Sequence, residues 1–124
     1  MKSNWGIQKM NQTILEKVLK FRDDRNWKQF HNPKDLVISL SLEASELLEN
    51  FQWKSSEEAV ETKKEDMKDE LADVLIYSML LADQLDIDLE EIIINKIEKN
   101  NKKYPVEKSR DSKKKYNEIL KRWN

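Results

Sequence analysis

The chain has 124 residues, of which 38% are charged, with a net charge of −1, no cysteine and one histidine. The lack of cysteine excludes disulfides and thiolate zinc sites, and a single histidine excludes any metal site that needs two imidazoles. No apolar run approaches the roughly 18 residues that span a bilayer, and the N-terminus lacks a signal-peptide pattern, so a cytoplasmic single domain is expected.

The predicted elements are all helices, because one glycine and two prolines supply too few turns for a β-fold. Apolar residues at helical spacing predict a first helix over about residues 5–25. A tight linker follows, and Pro33 suits the first turn of a second helix over about residues 34–51.

Two capping-box patterns predict the starts of the next two helices: Ser55 with Glu58, and Asp88 with Glu91. The third helix is expected to reach about residue 85, with a break allowed near residues 61–66. The fourth helix is expected to stop before Pro105, because the residue before a proline disfavours helical backbone.

We therefore expect an all-α fold, a small domain of four-helix-bundle type over residues 1–105, followed by a basic tail over 106–124 whose apolar spacing permits a short docking helix. Ile92, Ile93 and Ile94 sweep about 200° of the fourth helix, at 100° per residue. A lone small bundle covers one stripe per helix, so the core is expected to be completed by dimerisation or by a dimer of dimers.

The charge is distributed unevenly along the chain. Residues 35–94 carry 17 Asp and Glu against 4 Lys and Arg, a balance of −13, whereas residues 95–124 carry 11 Lys and Arg against 4 acids, a balance of +7. An acidic centre and a basic end suit a metal ion and a phosphate ligand respectively. Solvated helix faces are the alternative, and the charge counts alone favour that alternative.

Two pairs of acids with a spacing of three residues lie on the second and third helices: Glu43 with Glu46, and Glu70 with Asp73. Apolar residues flank these pairs, so the carboxylates are predicted to lie in partly dry surroundings. Four carboxylates that converge between antiparallel helices either have strongly raised pKa values or bind a cation. Oxygen ligands without His or Cys favour Mg²⁺ or Mn²⁺. A di-iron site of the ferritin type needs Glu-x-x-His on two helices, and the one histidine lies outside both.

The motifs resemble those of all-α nucleotide pyrophosphohydrolases of the MazG-like superfamily. "EASE" at 43–46 and "ELAD" at 70–73 resemble the ExxE…ExxD signature. The segments "FRDDRNWKQFHNPKDL", "LENFQW", "DELADVLIY" and "KIEKNNKKYP" resemble the dCTP-pyrophosphatase branch over about residues 18–105. The resemblance implies cleavage of nucleoside triphosphates between the α- and β-phosphates, Mg²⁺ held by the four acids, and an obligate dimer or dimer of dimers.

Aromatic residues flank the acidic helices, and aromatic rings stack on nucleobases at roughly 1–3 kcal/mol each. The resemblance assigns nucleoside contacts to Trp27, Trp53 and Tyr77, and it places His31 in the same "FHxP" segment. Tryptophans that cap the core of the bundle are the alternative for Trp27 and Trp53.

Residues with spacing i, i+4, i+7 share one face of the fourth helix: Lys96, Asn100 and Lys103. They match the family's phosphate-contacting "KxxxNxxKY" pattern, and a solvated lysine face is the alternative. Glu49 lies one further turn along the acidic helix, where it is a candidate to orient or deprotonate a water molecule. An exposed surface acid is an equally good explanation of Glu49.

The sequence therefore predicts a Mg²⁺-dependent nucleoside triphosphate pyrophosphohydrolase, acting on dCTP-like deoxynucleotides in clearance of the nucleotide pool. Three residues before Phe21, vertebrate dCTP-preferring relatives carry a histidine where this chain has Val18, so we expect a substrate range broader than dCTP. Neither a membrane nor nucleic acid is an expected partner of this enzyme. The rival hypothesis is a non-enzymatic helical module that uses its basic tail to bind nucleic acid or a protein.

Overall fold

The computed structural model describes the backbone of residues 2–112 and the side chains of residues 13–112. Its elements are helix α1 (Lys2–Asp24), a 3₁₀ helix (Trp27–Phe30), and helices α2 (Pro33–Glu49), α3 (Ser56–Gln84), α4 (Leu89–Lys103) and α5 (Val106–Ser109). Within the described residues there is no strand, and the predicted all-α class is confirmed. The docking helix predicted in the tail falls mostly on residues 113–124, outside the described residues.

Three helices begin at a residue whose side chain accepts a hydrogen bond from the backbone N–H of the residue three positions later. The acceptor–donor pairs are Asn32 with Asp35 at 2.9 Å, Ser55 with Glu58 at 3.1 Å, and Asp88 with Glu91 at 3.1 Å. Each bond satisfies one of the N–H groups that the first turn of a helix leaves free. Both predicted capping boxes therefore open helices at their expected positions.

Helix α3 is continuous, and the break that the sequence allowed near residues 61–66 is wrong. This stretch contains no glycine or proline, and its lysines and glutamates are good helix formers. The Thr62 hydroxyl donates to the carbonyl of Glu58 at 2.8 Å, which satisfies the hydroxyl within the helix. Lys68 also pairs with Glu65 at 2.9 Å along the same surface.

The chain divides into two compact units, Met1–Ile87 and Asp88–Asn124. In the first unit α2 packs closely against α3, and α1 also contacts α3. Its described apolar core is small: Leu36 of α2 and Ala59, Leu80 and Ala82 of α3 are buried. Many large apolar side chains stay exposed, including Val37, Ile38, Leu42 and Leu48 on α2 and Leu71 and Leu75 on α3.

In the second unit α4 exposes an apolar face formed by Ile92, Ile93, Ile94 and Ile97. Exposed apolar surface of this extent on a small chain is typical of proteins that associate. Completion of the core by dimerisation or a dimer of dimers stays a prediction, as does the four-helix bundle that joins the two units.

A buried ion pair joins α1 to the end of α3. Arg22 is only 4% exposed, and its guanidinium donates to Asp23 at 2.8 Å and to Asp83 at 2.7 Å. The hydrogen bond to Asp23 and the bond to Asp83 raise the pKa of Arg22 against the opposing effect of burial. Because both acids hold the guanidinium in its charged form, the buried charge is fully compensated.

The 3₁₀ helix between α1 and α2 was not predicted from the sequence, which indicated only a tight linker. The side chain of Gln84 donates to the carbonyl of His31 at 3.3 Å and so ties the end of this helix to the last turn of α3. Among the described helices, none has the length and apolar content that crossing a bilayer requires.

Candidate metal and nucleotide site

The packing of α2 against α3 brings the two predicted acid pairs together. Glu43 and Glu46 lie on α2, and Glu70 and Asp73 lie on α3. The negative charges of the other three carboxylates act on the carboxyl group of Glu43. Glu46 is exposed, whereas the other three side chains are half-buried. Because acids three residues apart share one face of a helix, both pairs are directed towards one region between α2 and α3, as the sequence predicted.

Glu43 carries the strongest sign of electrostatic frustration in this region. Burial, followed by a contact with Glu46 and the charges of Glu46, Asp73 and Glu70, raises the pKa of the Glu43 carboxyl. Two carboxylates hydrogen-bond only when they share a proton, so the contact with Glu46 does not stabilise the ionised pair. The Oε2 atom of Glu43 is buried and has no hydrogen-bond partner among the described residues.

The described part of the chain holds no group of three or more acidic or imidazole side chains already arranged to hold a metal ion. The four carboxylates influence one another electrostatically without already forming a shared set of metal ligands. Their chemistry nevertheless fits a hard divalent cation, because all donors are oxygens and one buried oxygen lacks a partner. The residues that can hold Mg²⁺ or Mn²⁺ are Glu43, Glu46, Glu70 and Asp73.

Glu70 has a neutral donor beside it that the sequence analysis missed. The side-chain amide of Asn50 donates to Glu70 Oε2, and it also lies 3.4 Å from the carbonyls of Glu46 and Leu47. Asn50 follows the last residue of α2, and 20 positions separate it from Glu70. Nothing in the local sequence marks an asparagine at this position as a partner of an acid in the next helix.

Glu49, the candidate to act on water, is the last residue of α2 and is exposed. It is not among the groups that raise the pKa of Glu43. Glu49 lies on the same helix as Glu43 and Glu46, about one turn beyond Glu46, and its role stays a prediction.

Trp27 belongs to an aromatic group with a cation above it. Its ring meets that of Phe21 edge to face, with centroids 5.8 Å apart and an interplanar angle of 77°. The guanidinium of Arg25 lies 3.8 Å from the centroid of Phe21 and 5.8 Å from that of Trp27. These contacts restrain an indole that is still 44% exposed, and the i, i+4 spacing of Phe21 and Arg25 was a signal that the sequence analysis missed.

Trp53 lies in the connection between α2 and α3, with an indole that is 92% exposed. Its backbone is left-handed, with φ of 63°. In the described chain, left-handed backbone is otherwise found at asparagine and aspartate, the types that tolerate it: Asn26, Asp86 and Asp111. No ring contact joins Trp53 to another aromatic side chain in that part of the chain.

Tyr77 and His31 are both half-buried in the first unit. Tyr77 lies one turn after Asp73 on α3, and the imidazole of His31 has an Nδ1 atom that is buried and without a partner among the described residues. The predicted nucleoside contacts of Tyr77 and His31 stay a prediction.

The predicted phosphate-contacting residues all lie on α4, in the second unit: Lys96, Asn100 and Lys103. Lys96 and Lys103 are exposed and Asn100 is half-buried. The carbonyl of Asn100 accepts the backbone N–H of Tyr104 at 2.8 Å, in the last turn of the helix. Their common helical face is confirmed by the continuity of α4, and their approach to the acid cluster stays a prediction.

Comparison with known proteins supplies independent evidence. Residues 38–119 match the model of the MazG-like family. Over 104 residues the chain is 39% identical to dCTP pyrophosphatase 1 of Mus musculus and 36% identical to dCTP pyrophosphatase 1 of Homo sapiens. These alignments cover 80% of this chain and 61% of each relative, so the chain spans about three-fifths of their length.

A solved structure is similar as well. The crystal structure of a pyrophosphatase from Archaeoglobus fulgidus matches with a TM-score of 0.73 and 43% sequence identity, over 77% of this chain and 93% of that one. The range matched by the family model contains all four clustered carboxylates, whereas Trp27 and His31 precede it.

Proposed function

Because the chain belongs to the MazG-like family, we propose that it is a nucleoside triphosphate pyrophosphohydrolase that requires a divalent cation. It would convert a nucleoside triphosphate to the monophosphate and pyrophosphate, by cleavage between the α- and β-phosphates. The names of the relatives, dCTP pyrophosphatase and pyrophosphatase, support this reaction class. The observation on which the proposal chiefly rests is the buried, unpartnered oxygen of Glu43 among three further carboxylates.

Glu43, Glu46, Glu70 and Asp73 are the proposed ligands of Mg²⁺, with Mn²⁺ as a substitute. When bound, the cation neutralises charge on the phosphate oxygens and activates water. The carboxylates contribute a cluster of negative charge whose mutual repulsion favours cation entry, and Glu49 is proposed to orient the water.

The nucleoside is proposed to contact Trp27, Trp53, Tyr77 and His31. The exposed faces of the two indoles are available for stacking, and stacking contributes roughly 1–3 kcal/mol per base. Lys96, Asn100 and Lys103 are proposed to contact the outer phosphates, since a triphosphate needs positive charge and amide donors.

The preferred substrate is proposed to be a deoxynucleoside triphosphate, with dCTP accepted but not strongly favoured. Val18 is half-buried on α1, one turn before Phe21, and an aliphatic side chain offers no hydrogen bond to a base edge. Stacking alone discriminates little among bases, so a broad range follows. A hundredfold preference of the wild-type protein for dCTP over dUTP, dTTP and dATP would overturn this point, and Val18→His is the variant expected to narrow the range.

Self-association is proposed as well, as a homodimer or homotetramer. The apolar side chains exposed on α2, α3 and α4 support it, because they exceed what a small isolated chain ordinarily leaves in water.

The experiment that tests the reaction is pyrophosphate release from a panel of deoxynucleoside triphosphates, with Mg²⁺ and with a chelator. We expect release by the wild-type protein only with Mg²⁺, and almost none by Glu46→Gln. Glu61→Gln is the matched control, because Glu61 is an exposed acid near the start of α3. No turnover of any nucleotide, together with salt-sensitive binding of nucleic acid, would instead favour the non-enzymatic helical module.

A further inference from the structure

The acid cluster has a feature that the ligand assignment leaves unexplained. One of its four carboxylates, Glu70, receives a hydrogen bond from a neutral side chain, the amide of Asn50. Within the described residues, Glu43, Glu46 and Asp73 receive no such bond from a side-chain amide or hydroxyl. Asn50 is half-buried, so water competes less for this hydrogen bond than it would at an exposed amide.

The chemistry of this donor matters for a cation site. A lysine or arginine here would neutralise Glu70 and weaken its attraction for a metal ion, whereas an amide adds no net charge. A carboxylate with one oxygen held by a donor keeps its second oxygen for a cation and cannot rotate freely. Such outer hydrogen bonds orient ligands in metal sites and affect metal affinity.

We propose that Asn50 is a positioning residue that holds Glu70 in the orientation required for divalent-cation binding. The inference rests on the proposed function, because it takes Glu70 as a cation ligand. Asn50 itself contacts neither the cation nor the nucleotide, and it acts only through the carboxylate of Glu70.

The geometry separates this role from helix capping. The backbone N–H of Asn50 bonds to the carbonyls of Leu47 and Leu48, and this cap does not involve the side chain. The amide nitrogen of Asn50 lies 3.4 Å from the carbonyl oxygens of Glu46 and Leu47, which is long for a hydrogen bond. Those two bonds are therefore weak beside the bond to the charged Glu70. Replacement of the side chain therefore leaves the backbone cap in place and removes the donor.

The test compares Mn²⁺ binding by calorimetry in the wild-type protein and Asn50→Leu, which is similar in size and lacks the donor. We expect the dissociation constant of Mn²⁺ to rise about 10- to 100-fold, the range found for outer partners of metal ligands. Gln52→Leu is the matched control, because it removes an exposed amide two residues away and should leave binding unchanged. Circular dichroism and melting curves establish that each variant is folded.

A double-mutant cycle with Glu70→Gln identifies the route of the effect. If Asn50 acts through Glu70, Asn50→Leu weakens Mn²⁺ binding in the wild-type background and has no further effect when Glu70 is already glutamine. In turnover assays with dCTP, the Mg²⁺ concentration for half-maximal rate should rise in Asn50→Leu, while KM for dCTP at saturating Mg²⁺ stays unchanged. A purely structural role would not give this selectivity.

Two results overturn the inference alone: Mn²⁺ binding by Asn50→Leu that equals the wild type, or an equal loss in the Glu70→Gln background. In both cases a wild-type protein that binds Mn²⁺ and releases pyrophosphate keeps the proposed function intact. A wild-type protein that binds no Mn²⁺ and hydrolyses no nucleotide overturns both proposals together.

Discussion

Arg22 and Glu43 each place charged atoms in buried positions beside α3, and their surroundings differ in sign and in completeness. Arg22 is buried between α1 and α3 and donates to Asp23 and Asp83. Glu43 of α2 has a buried oxygen with no partner in the described chain, and the charged groups that act on it are other acids. Burial of charge alone thus does not distinguish a structural position from a functional one, whereas an incomplete environment does.

The pKa values of the two groups make the contrast sharper. Both pKa values are raised, but a raised pKa favours the charged form of a base and the neutral form of an acid. For a base such as Arg22, a raised pKa means that the fold stabilises its charge. For an acid such as Glu43, it means that the fold opposes its charge. The first arrangement supports stability, and the second favours an incoming cation.

The largest expected effect is the loss of activity when a carboxylate of the acid cluster around Glu43 is neutralised. Asp73→Asn should reduce kcat/KM by about 100- to 1,000-fold, equivalent to roughly 2.7–4 kcal/mol, as loss of one charge-stabilising group in an active site typically does. The measurement is pyrophosphate release from dCTP at saturating Mg²⁺. Asp69→Asn, which neutralises an exposed acid on the same helix, should retain wild-type activity. Equal losses in the two variants would remove the distinction between clustered and surface acids.

The next largest expected effect is a loss of folding stability when Arg22 is replaced. Arg22→Met should lower the free energy of unfolding by about 2–4 kcal/mol, somewhat less than for a fully buried pair because Asp83 stays 29% exposed. Urea denaturation gives this quantity, and added Mg²⁺ should not restore the loss. Lys20→Met is the matched control: its 2.7 Å pair with Asp24 is exposed, so we expect less than about 1 kcal/mol. A loss in Arg22→Met as small as the control would show that burial of this ion pair is unimportant.

A smaller effect of opposite sign is expected for Glu43→Gln. Removal of one like charge from the cluster should stabilise the metal-free protein by about 0.2–0.5 kcal/mol, the usual cost of a like-charge pair on a helix, although activity is lost. Mg²⁺ should raise the Tm of the wild-type protein by mass action and should raise that of Glu43→Gln much less. Thermal melts with a chelator and with millimolar Mg²⁺ provide the comparison. A metal-free Glu43→Gln that melts below the wild type would contradict the view that the cluster opposes folding.

The smallest effect concerns acid pH and the exposed acid beside Arg22. The hydrogen bond from Arg22 lowers the pKa of Asp23 below its ordinary value of 3.8. A carboxyl whose pKa falls on folding adds stability above its unfolded pKa, and the contribution disappears as pH drops through the folded value. We therefore expect Asp23→Asn to lower the Tm slightly at pH 6, with a difference that vanishes well below pH 3.8. A difference that persists at the lowest pH would mean that charge is not its cause.

The features predicted correctly from the sequence are those set by neighbours along the chain. The caps at Ser55 and Asp88 need only the next three residues, and the acid pairs follow from helical spacing. The convergence of these pairs needed only the assumption that α2 and α3 pack together. The break allowed near residues 61–66 is wrong, because a run of lysines and glutamates without glycine or proline continues a helix.

The missed features join residues that are distant along the chain. Arg22 and Asp83 are 61 positions apart, and Asn50 and Glu70 are 20 apart, so no local pattern specifies either pair. An arginine near the end of a helix and an asparagine after one are both common on protein surfaces. Their burial is determined by tertiary packing, which depends on the arrangement of helices rather than on any one segment.

The left-handed backbone of Trp53 has a consequence for laboratory evolution. Glycine adopts this conformation without strain, whereas a side chain as bulky as indole costs about 1 kcal/mol or more there. Since the indole is 92% exposed, it gains little from packing in return. A selection for thermal tolerance alone would therefore enrich Trp53→Gly early and discard a candidate base-stacking surface with it. Libraries of this protein should be screened for turnover and heat resistance together.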